Sequence, residues 1–409
     1  MMKYLILLGD GMADYPIESL GGKTPLEVAH TPNMDQIARE GTLGLIDTIP
    51  PGFLPGSDVA IITLFGYDAT LHYSGRGPLE AANMGVQLGP EDVAFRCNLV
   101  TLKMDSTVIM DDFTAGHIAS QEARDVIMDM QAKLGTDEFQ FYPGVSYRHL
   151  LVWRGGIDSI KTTPPHDITG KPVKSHLPEG EGAEKILDLM RRSQEFLHDH
   201  PINRQRLENN KKPANAIWLW GQGRAPGMVK LTDKYGLTGG MISAVDLLNG
   251  IGIYAGLDVI RVEGATGYTD TNYVGKAREA LNTLRHKDFI FVHVEAPDEM
   301  GHEGNTEGKI QAIEDFDKKI VGIIMKEIHR FAPFRLMVLS DHPTPIVLKT
   351  HASNPSPFAV LSSLQGENLR NGSSFSEPSA GKAGLTISPG HLLMDYFIRH
   401  WSEFIERSR

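Results

Sequence analysis

Adjacent aspartate and histidine side chains stand in Leu339-Ser340-Asp341-His342-Pro343, and His351 follows nine residues after His342. The residues before them, Leu336 to Leu339, are all hydrophobic and read as a buried strand. A second pair, Asp298 and His302, comes after the hydrophobic run Phe289 to Val294, and a lone Asp10 ends the run Tyr4-Leu5-Ile6-Leu7-Leu8-Gly9. Carboxylate and imidazole are common ligands of divalent transition metals, and open α/β sheets place their sites at the carboxyl ends of strands. One Asp-His pair would mean little. Three strand-end clusters in one chain point to a two-metal centre.

Asp298 and His302 are spaced i,i+4 and so share one face of a helical turn. With His351 they make a three-ligand site that keeps a position open for substrate or water. The plain alternative is a helix-capping aspartate beside a surface histidine. Asp341 and His342, leaving a strand together, can reach the same ion or neighbouring ions; their plain alternative is an ordinary Asp-His-Pro turn. Histidines beside carboxylates suit Mn²⁺ or Zn²⁺ better than a site of oxygens alone, which suits Mg²⁺. The expected cofactors are therefore two divalent ions, Mn²⁺ foremost, with Mg²⁺, Co²⁺ or Zn²⁺ as alternatives.

The segment Pro51 to Ala60 offers a nucleophile. Proline and glycine force a turn before Ser57, and the residues from Val59 to Leu64 read as a helix. A serine there stands where backbone N–H groups and the helix dipole stabilise a phosphate, and a metal ion can activate its oxygen. A helix-capping serine is the competing reading. Arg76, Arg148 and Arg224, each near glycine, are candidate anion binders, because the guanidinium fork matches carboxylate and phosphate. Acid–base candidates are His117 and the pair His166-Asp167. Lys276 could hold a phosphate as a point charge, or could be a solvated lysine in a first helical turn.

Positioning these residues requires an α/β fold, and apolar β-rich runs do alternate with amphipathic stretches throughout. Expected strands cover 4–8, 148–153, 216–220, 258–262, 289–294 and 335–340; expected helices cover 33–40, 120–134, 181–199, 241–254, 273–285 and 308–330. The metal-ligand candidates come from the two ends of the chain, so a metal domain of residues 1–84 and 236–409 should be interrupted by an inserted domain of residues 85–235. With 409 residues, 41% of them hydrophobic, there is ample material for two cores. A net charge of −11 argues against a general nucleic-acid binder, whose footprint would be basic. Cys97 is the only cysteine, which excludes an intramolecular disulfide and a cysteine zinc site. With no run of about 18 apolar residues and no leader pattern, the expectation is a soluble, cytoplasmic protein acting on a small molecule.

The chain resembles the cofactor-independent phosphoglycerate mutases of the archaeal type, within the alkaline phosphatase superfamily. The residues that carry the resemblance are Gly9 to Asp14, Pro55 to Asp58, Gly75 to Ala81, Phe95 to Asn98, Gly264 to Tyr273, Glu295 to His302, Asp341 to Pro345, and His351. It implies an alkaline-phosphatase-like three-layer α/β sandwich with an inserted second α/β domain. On matching positions it implies that Asp298, His302 and His351 bind one ion, while Asp10, Ser57, Asp341 and His342 surround the other. Ser57 would carry the phosphoryl group between 3-phosphoglycerate and 2-phosphoglycerate, and arginines of the inserted domain, which would close over the metal domain, would hold the substrate. Arg224 and His117, with Arg148, are placed on that set, and Lys276 stands for the family's site lysine. The same scaffold also serves phosphatases, and segments like Tyr142 to Arg148 and Trp218 to Gly223 occur in a branch proposed to contain homoserine kinases. No Gly-x-x-x-x-Gly-Lys-Ser/Thr nucleotide loop is visible in the chain.

Overall fold

The computed structural model describes residues 2–104 and 106–409. They divide into two compact units: Met1–Tyr73 with Gly227–Arg409, and Ser74–Pro226. Among the described residues thirteen strands run in chain order as β1 Lys3–Gly9, β2 Thr42–Ile46, β3 Val93–Met104, β4 Val108–Asp112, β5 Phe139–Val145, β6 Arg148–Trp153, β7 Ala216–Gly223, β8 Gly239–Ile242, β9 Asp258–Val259, β10 Phe289–Val294, β11 Phe334–Leu339, β12 Ser356–Ser362 and β13 Thr386–Ile387.

The larger unit is built on an eight-stranded sheet of order β13-β2-β12-β11-β1-β10-β8-β9. Its centre is parallel, with β1 between β10 and β11, so all three end at the same edge. These strands are apolar on both faces because both faces are covered, as a parallel sheet requires. Leu5, Leu7, Ile290, Val292, Leu336 and Val338 pack into one core with Ile313, Phe316 and Ile320 of the long helical segment after Asn305. On the opposite face the Phe291 ring meets Phe65 at 5.0 Å, and Tyr4 meets Phe397 at 5.6 Å. Helices on both sides of one sheet give the three-layer α/β architecture.

The second unit has a five-stranded sheet in which β3 pairs antiparallel with β4, β6 and β7, and β5 pairs with β6. Val93, Phe95, Cys97 and Leu99 alternate along β3 toward one core shared with helices Ser120–Leu134 and Ala183–His198.

The unit borders fall earlier in the chain than expected on both sides. Residues 74–84 join the second unit because the helix Arg76–Asn83 lies against β3: a Cβ on Gly77 would meet Ala94 O at 2.1 Å, and Glu80 pairs with Arg96 at 2.9 Å. Residues 227–235 join the first, where Val229 O accepts from the Tyr67 hydroxyl at 2.7 Å and Lys234 donates to Gly66 O at 3.2 Å. Two element expectations also change. Residues 241–242 end the strand β8 and the helix begins only at Asp246, while the strand expected over 258–262 shortens to Asp258–Val259. No helix among the described residues is long and apolar enough to cross a membrane.

Candidate metal centre

Because β10, β1 and β11 are adjacent and parallel, Asp10, the segment after Val294, and Asp341-His342 all leave the sheet side by side. Asp298 and His302 lie on the helix Ala296–Glu303, with His302 Nε2 at 3.1 Å from Asp298 Oδ2. Gly11 permits this crowding: it has φ +57°, and a Cβ there would meet Asp298 Oδ1 at 2.5 Å.

Two neighbouring groups form. In the outer one, His302 Nε2 and His351 Nε2 are 2.9 Å apart, and His351 Nε2 is 3.6 Å from Asp298 Oδ1. The other ring nitrogens face backbone carbonyls, His302 Nδ1 at 3.1 Å from Lys349 O and His351 Nδ1 at 3.2 Å from Pro55 O. With Nδ1–H donated outward, loss of the Nε2 protons would turn both Nε2 lone pairs toward one carboxylate, a donor set that fits a cation. In the inner group, His342 Nε2 lies 3.5 Å from Asp10 Oδ1 and 3.3 Å from Asp341 Oδ2. Asp341 Oδ2 is buried without a hydrogen-bond partner, an uncompensated acceptor that a divalent ion would satisfy. The donor set thus fits metal ions in both places. Ligand atoms of Asp298, His342 and His351 lie within 4.8 Å of one another, as do those of Asp10, Asp341 and His342.

Ser57 opens the helix Ser57–Leu64, but the capping position is Gly56, and no side chain caps the helix. The hydroxyl instead lies 3.2 Å from His342 Nε2 and 3.5 Å from Asp10 Oδ1. The helix-cap reading of this serine is therefore set aside.

Electrostatics follow the same division. Burial, then the carboxylates of Asp341, Glu295 and Asp298, push Asp10 well above the usual carboxylate range. Against the burial that would raise it, hydrogen bonds from His302 and His351 hold Asp298 well below that range. Asp298 in turn raises His302 to about 9. Burial lowers His342, which is neutral and able to bind a metal. The excess of buried negative charge around Asp10 is the electrostatic signature of a cation site.

Two residues here carried no role in the sequence reading. His293, wholly buried on β10, places Nε2 at 2.7 Å from Asp10 Oδ2, and Glu295 Oε2 lies 3.3 Å from the same nitrogen. The only signal for His293 was a histidine inside an otherwise apolar strand. Lys276 is buried rather than solvated; its Nζ donates to His293 O at 3.0 Å, and burial lowers its pKa to about 8.

The expected anion binders of the second unit separate into two places. Arg76 opens its helix beside Arg96, whose guanidinium stacks 4.4 Å over the Trp220 ring; a Cβ on Gly221 would lie 3.7 Å from both arginine side chains. Arg148 lies over Tyr147 at 5.8 Å, and the His117 ring is 6.5 Å from Tyr147. His166 touches Trp220 at 5.3 Å and Phe113 at 6.0 Å, and sits 3.7 Å from Asp167. Burial, with the like charges of Arg76 and Arg148, lowers Arg96 against the opposing pull of Glu80. Arg76, Arg96, Arg148, His117 and His166 thus form one basic, aromatic-walled cluster, with Arg96 an unforeseen member. Arg224 is not part of it. Its guanidinium pairs with Glu91 at 2.9 Å, Asp158 at 3.2 Å and Gly156 O at 2.9 Å.

Comparison with known proteins points to one family. A family model described as 2,3-bisphosphoglycerate-independent phosphoglycerate mutase matches residues 38–203. A probable enzyme of that name from Geobacter sulfurreducens is 54% identical, over 97% of this chain and all of its own length. The Methanosarcina barkeri enzyme is 53% identical over 94% of this chain and 96% of its own. Among solved structures, the PH0037 protein from Pyrococcus horikoshii superposes with a TM-score of 0.80 at 30% identity, covering 100% of this chain and 98% of that one. A cofactor-independent phosphoglycerate mutase from Thermoplasma acidophilum gives 0.67 at 25% identity, covering 98% and 99%.

Proposed function

We propose that this chain, which belongs to the 2,3-bisphosphoglycerate-independent phosphoglycerate mutase family and interconverts 3-phosphoglycerate and 2-phosphoglycerate, moves the phosphoryl group by way of Ser57 at a site that would hold two metal ions. The observation that carries the reading is the Ser57 hydroxyl, uncapped and set against both His342 and Asp10. Asp298, His302 and His351 would hold one ion; Asp10, Asp341, His342 and the Ser57 oxygen would hold the other. When bound, Mn²⁺ or a related divalent ion supplies positive charge that favours the serine alkoxide and neutralises the phosphoryl oxygens.

Ser57 Oγ forms a bond to phosphorus as the bond from phosphorus to the C3 oxygen breaks, and the serine proton ends on the released hydroxyl. In the return step the C2 hydroxyl forms the new bond, the Ser57–phosphorus bond breaks, and the serine recovers a proton. No second phosphorylated cofactor is consumed. The glycerate must stay bound and water must be kept from the phosphoserine between the steps, since otherwise the outcome is hydrolysis. Arg76, Arg96 and Arg148 supply the charge to hold an anionic sugar acid, with His117 at the edge of the same cluster. Lys276, buried with its Nζ on His293 O and near Glu295, offsets negative charge rather than contacting phosphate.

The test is a Ser57→Ala protein assayed for phosphoglycerate interconversion with excess Mn²⁺, alongside acid-quench trapping of labelled phosphate on the wild type. The expected result is label on Ser57 and a loss of several orders of magnitude in rate for the variant. Near wild-type turnover by the variant would refute the phosphoserine route.

A further inference from the structure

We infer that His293 is a positioning residue that fixes the Asp10 carboxylate by one oxygen so that the other faces Ser57. The inference rests on the two-ion reading above. Asp10 divides its oxygens: Oδ2 lies 2.7 Å from His293 Nε2, while Oδ1 lies 3.5 Å from Ser57 Oγ and 3.5 Å from His342 Nε2.

On its far side His293 Nδ1 is 3.2 Å from Ser243 Oγ, and that oxygen accepts the Val245 N–H at 3.0 Å. Counting protons assigns the tautomer. An Asp10 carboxylate ionised to bind a metal only accepts hydrogen bonds, so the single ring proton of His293 stands on Nε2 and Nδ1 accepts from the Ser243 hydroxyl. The chain of bonds ends in backbone and lies wholly inside the unit: His293 and Asp10 are fully buried and Ser243 is 7% exposed. A carboxylate pinned this way cannot rotate to offer both oxygens to an ion, so it binds through Oδ1 and leaves room for the serine oxygen. Partners of this kind, one bond behind a metal ligand, typically change metal affinity by about 10–100-fold when removed.

The competing assignment for the same atoms is a third cation held by Asp10, His293 and Glu295, whose ligand atoms also converge within 4.8 Å. Lys276 argues against it. Its Nζ is hydrogen-bonded to His293 O at 3.0 Å, and the negative charge of Glu295 favours its protonated form, so a cation already stands beside this group.

The experiment is calorimetric Mn²⁺ titration of metal-stripped wild type, His293→Ala, His293→Gln and Ser243→Ala, with melting curves and steady-state kinetics on the same proteins. Expected are two ions per wild-type chain. His293→Ala should weaken one ion by about 10–100-fold, leave the other unchanged, and lower kcat more than it raises KM. His293→Gln, which keeps an N–H donor, should recover part of the lost affinity, and Ser243→Ala should show a smaller loss at the same ion. Unchanged affinity in His293→Ala, or equal weakening of both ions, would overturn the inference while leaving the two-ion reading intact. Three ions in the wild type falling to two in His293→Ala would establish the third cation site instead. A wild type that binds no metal would overturn the two-ion reading itself.

Discussion

Metal binding at the outer group should displace a proton from His302, and the size of the effect follows from its environment. Asp298 keeps its charge at all neutral pH values and lifts His302 to about 9. At pH 7, two units below that value, only about 1% of the metal-free chains hold His302 without its proton. The apparent affinity of an ion that uses this imidazole should therefore be about 100-fold weaker at pH 7 than above pH 9. Between pH 6.5 and 8.5 the logarithm of the binding constant should rise with a slope near one per pH unit, and flatten at about 9. In metal-free protein the sign is opposite. A raised folded-state pKa means that protonated His302 stabilises the fold fully below its ordinary value of ~6.5, and that this contribution fades as pH rises through about 9. Calorimetry in two buffers of different ionisation enthalpy counts the protons released, and a His302→Gln protein supplies the control in which the slope disappears. A flat pH dependence in the wild type, or one unchanged in His302→Gln, would refute the assignment of His302 as the ligand that must give up a proton.

Two further outcomes are expected. Arg148→Ala should raise KM by tenfold or more without altering metal affinity, whereas Arg224→Ala should leave KM near its wild-type value, because Glu91 and Asp158 already occupy that guanidinium; steady-state kinetics on the two variants decide it, and equal effects would contradict the division between them. Arg335→Met should break a buried ion pair in which Arg335 reaches Glu367 at 2.7 Å and Phe397 O at 2.7 Å. Losing one partner of such a pair costs about 3–5 kcal/mol, a fall of roughly 6–20 °C in Tm for a unit of this size, to be read by calorimetry.

The candidate metal ligands were legible because their signal is local: a carboxylate or imidazole within a few residues of the end of an apolar run is conspicuous whatever the rest of the chain does. Asp10, Asp298 and Asp341 all announce themselves this way. His293 did not, since a single histidine within Phe289–Val294 looks the same as a satisfied core histidine until the partner strand β1 brings Asp10 to it. Arg96 was hidden for the opposite reason. Its strand alternates buried Val93, Phe95 and Cys97 with Ala94, Arg96 and Asn98, so Arg96 passes for a residue on the strand's outer face, and its partner Trp220 is on β7, far away in the chain. The pairing of Arg224 was not legible, because glycine-flanked arginine describes a local context, while the acids that engage it, Glu91 and Asp158, come from distant segments. The borders of the second unit were misplaced because the helix Arg76–Asn83 shows an amphipathic pattern without showing which sheet it will cover.

The two ligand groups differ in depth. Asp10, Asp341 and His342 have no exposed side-chain surface, whereas the side chains of His302 and His351 are 34% and 21% exposed. On the two-ion reading, an ion in the deeper group would leave slowly, while its neighbour would exchange with solvent ions more readily. Two samples of identical sequence, grown on different metals and dialysed briefly into one buffer, would then differ at the inner position and agree at the outer one.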